Sequence, residues 1–158
     1  MKVHRWAALA GLFFVLGPAA ADETRTVVVS GNSAWTDTGI DVLQGQTVEF
    51  SAEGLISLQK GNPQADCGPE GYDLRTVQQP LADCNLGALI GKVVIAVTVI
   101  KDKKTGQEKN EEAAELFPVG ARGRVEMPVK CRLFLGVNEQ VVGDNAGEFT
   151  VTIVTDPE

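Results

Sequence analysis

The feature that most constrains this chain is alternation with a period of two, with no long segment of helical period beside it. Thr47 to Ala52 places Val48, Phe50 and Ala52 on one face and Thr47, Glu49 and Ser51 on the other. Glu148 to Val154 sets Phe149, Val151 and Ile153 against Thr150 and Thr152, and Cys131 to Val137 alternates the same way. Such runs are half-buried strands, because successive side chains of a strand point to opposite faces. Thr26 to Ser30 and Arg124 to Met127 add two short strands, and Leu55 to Leu58 continues the sheet after Gly54. Ala88 to Ile100 is almost wholly apolar. That composition predicts a central strand covered on both faces, with a bend at Gly91. Short strands separated by Gly and Pro indicate an all-β antiparallel sandwich or jelly roll.

Other segments are less regular. Lys101 to Glu115 holds four lysines and five acids, and is expected to be a solvated hairpin tip or surface insertion. Within it, Gln107 to Leu116 is the best helical candidate, worth a turn or two. Gln59 to Leu86 is too long for a plain connection, and loops of this length are usually functional or stapled.

The first 21 residues are set apart. Lys2, His4 and Arg5 precede the apolar run Trp6 to Leu16, and Ala19-Ala20-Ala21 offers a small-residue cleavage site. This is the pattern of a secretory signal, cut after Ala21. The apolar run is too short to span a bilayer comfortably. One domain, residues 22–158, would remain, in a secreted or periplasmic setting. It carries all 21 acidic residues and 12 of the 14 basic ones, a formal charge of −9. That charge disfavours nucleic acid and anionic membranes as partners. The one histidine, His4, leaves with the signal, which excludes His-based triads and His-ligated zinc.

Cys67, Cys84 and Cys131 fall in the mature region. An oxidising compartment favours one pair. Cys131 shares its parity with Leu133, Leu135 and Val137 and should face the core. Cys67 and Cys84 bracket the polar loop, so Cys67–Cys84 is the expected bridge. Three free thiols and a Cys84–Cys131 pair stay open as alternatives.

Residues 138 to 147 gather Asn138, Glu139, Asp144 and Asn145 between two strands, with Gly143 and Gly147. Calcium takes six to eight oxygens from carboxylates, amides and backbone carbonyls. A tight turn can aim Glu139, Asp144 and Asn145 at one point. Asp, Asn and Gly also build ordinary turns, and on spacing alone the ordinary turn is favoured. An EF-hand pattern is absent.

Four blocks point further. They are Trp35-Thr-Asp-Thr-Gly39-Ile-Asp-Val with Gly45; Gly68-Pro69-Glu70-Gly71 with Asp73; Gly87-Ala88-Leu89-Ile90-Gly91-Lys92; and Leu133 to Glu139 with Gly143 to Ile153. In these the chain resembles the bacterial galactophilic lectin I family, small calcium-dependent galactose-binding lectins. The resemblance implies a galactose-binding-like β-sandwich. It implies a calcium held by Glu139, Asp144 and Asn145, with Asp144 contacting both ion and sugar. It also implies a sugar contact from the loop after Gly-Pro-x-Gly, where Arg75, Gln78 and Gln79 lie. The chain departs from the pattern in having Glu at the acid's position, a turn two residues shorter, and no histidine in that loop. Among the aromatics, Tyr72 is a ligand-contact candidate and Trp35 is expected in the core.

The expected function is non-catalytic binding of carbohydrate or glycoconjugate, galactoside-like and assisted by Ca2+. The rival is an envelope or periplasmic interaction domain that keeps the sandwich without the sugar site. An enzyme is disfavoured: there is no serine elbow, and the paired carboxylates Glu70 and Asp73 stand in a small sandwich poor in aromatics.

Overall fold

The computed structural model describes residues 23–77, 79–101 and 106–155. The signal-like segment 1–21 and Gln78 lie outside the described residues. Among the described residues nine strands run in chain order: β1 Glu23–Ser30, β2 Thr36–Val42, β3 Thr47–Ser57, β4 Asp66–Cys67, β5 Leu89–Lys101, β6 Glu108–Pro118, β7 Arg122–Glu126, β8 Cys131–Val137 and β9 Ala146–Thr155. A short 3-10 turn, Pro63–Ala65, stands before β4.

The strands form two antiparallel sheets. The first has the order β1-β9-β3-β4, with β7 also pairing β3, and the second has the order β2-β8-β5-β6. Their inner faces hold the core. Val29, Val48, Phe50, Phe149, Val151 and Ile153 come from the first sheet, and Ile40, Val42, Leu89, Val93, Phe117, Leu133, Leu135 and Val137 from the second. The alternation in β3, β8 and β9 follows from this arrangement, since each has one face on the core and one toward solvent. Cys131 packs against the core from the start of β8.

β3 runs unbroken through Gly54, as the sequence suggests. Gly54 has φ +114°, and a Cβ there would lie 2.5 Å from the carbonyl oxygen of Glu148 on β9. Only glycine lets the two backbones approach this closely.

Three expectations are corrected. The Gln107–Leu116 region is strand, not helix, because β6 pairs with β5 from Lys101↔Glu108 to Ile90↔Pro118. The irregularity in β5 lies between Val94 and Ala96, not at Gly91. Gly91 instead makes room for Phe117, whose ring would stand 2.1 Å from any Cβ at that position. Finally, β5 is covered only over its first half. β8 pairs with Leu89 to Val93; from Ile95 to Ile100 the strand is exposed, with β6 alone beside it among the described residues.

The cysteines also depart from expectation. Cys67, Cys84 and Cys131 are all free thiols, so the Cys67–Cys84 bridge is not formed. Cys67 sits buried in β4, opposite Ile56, and Cys84 sits half-buried in the loop. Hydrogen bonds hold that loop instead.

Candidate functional site

The loop 59–86 is fastened to the sandwich by Asn138, at the end of β8. Asn138 is fully buried. Its Oδ1 accepts from the Leu81 amide at 2.8 Å, and its Nδ2 donates to the carbonyls of Leu81 at 2.9 Å and Asn85 at 3.0 Å. Its own amide donates to Ala88 O at 2.8 Å. All side-chain polar atoms of this residue are thus engaged in positioning the loop. An antiparallel bridge between Tyr72 and Leu86 then closes the loop on itself.

One residue further on, Glu139 turns toward the 142–145 turn. That turn closes through the Asn145 amide, which donates to Val142 O at 3.2 Å. It is docked from two sides: the Lys60 amide donates to Asp144 O at 2.8 Å, and the Gly31 amide donates to Gly147 O at 2.9 Å. Asn145 is buried. Its Nδ2 donates to Glu139 Oε2 at 2.6 Å and to Gly31 O at 3.1 Å. Both partners are acceptors, which fixes the orientation of the amide. Its Oδ1 is left buried with no hydrogen-bond partner among the described residues. Leaving such an oxygen unsatisfied costs about 1–3 kcal/mol, so it calls for an explanation.

The electrostatics agree with an oxygen-rich pocket. Burial raises the Glu139 carboxyl above its ordinary value, the Asn145 hydrogen bond opposes this, and the Asp144 carboxylate nearby raises it further. Asp144 itself is exposed. Glu139 and Asn145 are therefore in contact, and the Asp144 carboxylate stands near enough to Glu139 to act on it. Among the described residues no three of His, Cys, Asp or Glu are grouped to hold a metal by themselves. A cation here would need the Asn145 oxygen and backbone carbonyls as well, which is normal for calcium.

A cavity of 170 Å³ opens beside Glu139, lined by Thr76, Leu86, Glu139, Gln140 and Val141. Leu86 also borders a groove of 300 Å³ shared by Leu58, Asn62, Gln64, Tyr72 and Leu74. Tyr72 is exposed there, as a contact residue must be. Arg75 is exposed but opens onto a different cleft, beside Glu70, Asp83 and Cys84. Gln79 is not available to a ligand. It is buried, its Oε1 accepts from Thr76 N at 2.9 Å, and its Nε2 donates to Leu81 O at 2.9 Å. Trp35 is only half-buried and lies outside the core. It rests on Gly136, where a Cβ would come within 2.8 Å of its ring, and Lys92 Nζ stands 4.9 Å from its centroid.

Thr76, Leu86 and the Gly31 carbonyl were not foreseen, since nothing in their local sequence links them to residue 139. A larger cleft, 470 Å³, is elsewhere, on the first sheet over Glu49, Arg122 and Arg124. Glu49 and Arg124 pair with each other there. The Asn145 turn is the better candidate because it holds the unsatisfied buried oxygen.

No family model matches the chain, and no curated protein matches it. Among solved structures it is similar to one described as "EclA N-terminal domain; PllA-like lectin", with a TM-score of 0.58 and 20% identity over 84% of this chain and 96% of that one. At this identity the likeness shows the fold: a lectin-like antiparallel β-sandwich.

Proposed function

We propose that this chain is a secreted or periplasmic, non-catalytic carbohydrate-binding domain whose ligand is held with the help of calcium at the 139–145 turn. The observation that carries the reading is the buried Asn145 Oδ1 without a partner, on an amide whose other end is fixed by Glu139. Hard oxygens of this kind fit Ca2+. Glu139, Asp144 and Asn145 would hold the ion, and the ion would supply a Lewis-acidic anchor for vicinal hydroxyls. The exposed Tyr72 and the cavity bounded by Thr76, Leu86 and Val141 supply walls for a sugar ring. The net negative charge of the chain suits a cation and a neutral ligand. The lectin-like sandwich and the sequence resemblance support a galactoside-like class.

A second reading is an interaction domain without a sugar site. One observation favours it: the Asn145 amide already occupies one Glu139 carboxylate oxygen by donating to it.

Melting the protein with millimolar calcium and then with chelator decides between them. At a hundredfold excess over its dissociation constant one ion adds about 2.7 kcal/mol, a rise of several degrees. The binding reading expects that rise, its loss in Asp144→Ala, and calcium-dependent retention on immobilised galactosides. Indifference to calcium in both proteins would leave the interaction domain.

A further inference from the structure

We propose that the outer half of β5 is a self-association edge, at which two copies of this chain join β5 to β5 antiparallel in one continuous sheet. β8 pairs with β5 only as far as Val93↔Leu133. Beyond that point, among the described residues, β6 is the only strand beside it. The backbone groups on its other side form an open edge, and Val94 to Ile100 is seven residues without a charge. Ile95, Val97, Val99 and Ile100 are 49, 56, 59 and 44% exposed. An isolated two-stranded ribbon is marginal in water, and an exposed apolar edge of β-branched residues is a template for another strand.

The two edges of this ribbon are not alike. β6 carries Glu108, Lys109, Glu111, Glu112 and Glu115, the charges that keep an edge from pairing. β5 carries none between Lys92 and Lys101. The occupant is a second copy because the edge is self-complementary. A two-fold axis through Thr98 sets Val97 opposite the partner's Val99 and Ala96 opposite the partner's Ile100, with the two Thr98 hydroxyls facing. These pairs are uncharged, and in Ala96 with Ile100 a small residue meets a large one. The strand order β6-β5-β5-β6 also leaves the acidic strands at the two outer edges, as far apart as the sheet permits. An isologous contact needs only this one surface.

Sedimentation velocity on the protein expressed from its full sequence, from low to hundreds of micromolar, tests the proposal. The mass should rise from one chain toward two. Val97→Lys with Val99→Lys should hold it at one chain while the strand signal in circular dichroism is kept. Thr98→Cys should give a disulfide-linked dimer on a non-reducing gel, above the background of the three native thiols, whereas Val28→Cys on the first sheet should not. If the lysine variant does not fold, the Thr98→Cys result decides. A single-chain mass at every concentration overturns the proposal and would leave the edge to a strand of another protein. A dimer that survives both lysines, or no Thr98→Cys crosslink, overturns it as well.

Discussion

At the scale of residues, two asparagines seven positions apart, Asn138 and Asn145, do opposite work. Asn138 has its side-chain donors and acceptor engaged, whereas Asn145 has an acceptor left over. Asn138→Ala strands the Leu81 amide and two carbonyls, so it should destabilise the protein by about 2–3 kcal/mol in urea unfolding. Equal stability would mean that water replaces the side chain. Glu139 makes a pH-dependent prediction. Burial, against the opposing Asn145 hydrogen bond and with a smaller push from Asp144, raises its folded pKa above the ordinary carboxylate value of 4.5. Between those two values the folded protein keeps a proton that the unfolded chain has released, so stability falls as pH rises through that window. Below it, the contribution is fully present. Glu139→Gln cannot titrate. In melts from about pH 4 to 7, without calcium, it should gain on the unsubstituted protein as pH rises. A constant difference would show that Glu139 is not shifted by folding.

At the scale of elements, what could be read from the sequence depended on whether one face was buried. β8 and β9 have one face on the core throughout, and their alternation declared them. β6 has charges on both faces over Glu108 to Glu115, so no period survives, and its strand state comes from β5 alone. The apolar run of β5 looked doubly covered because a sequence does not show where the neighbouring strand stops. The candidate turn was legible, since Glu139, Asp144 and Asn145 lie within seven residues. The Asn138 clamp was not, since its partner Leu81 is 57 residues away. Glycine punctuates strands, so the sequence suggests a bend at Gly91, whereas its use here is to seat a ring from the next strand. Gly91→Ala should therefore cost about 1–3 kcal/mol by overpacking, and Phe117→Leu, itself destabilising, should cost less in the Gly91→Ala background than alone. Additive losses in a double-mutant cycle would mean that the two do not meet.

For the whole molecule, the question is what holds a 28-residue loop and two sheets together without a covalent link. The ends of the described fold meet at Glu23↔Thr155, and β9 lies between β1 and β3, so the last strand completes the first sheet. The loop is fastened by the buried Asn138 and by Gln79, and Cys67 contributes as a buried apolar group rather than as half of a bridge. Burial, with Glu139 and Asp66 adding their charge, lifts the Cys67 thiol to about 11, and burial raises Cys84 and Cys131 too. A raised thiol is mostly protonated near neutral pH and reacts slowly. The native protein should then titrate slowly with a thiol reagent at pH 8 and yield three thiols in denaturant. Its melt should be unmoved by reductant. A Cys67–Cys84 bridge would instead give one thiol in denaturant, and its reduction would cost about 3 kcal/mol by releasing the closed loop. The two accounts differ in the thiol count and in the melt together, so either result alone can be checked against the other. Agreement on three thiols and an unchanged melt would place the stability of this sandwich in its packing and its buried amides.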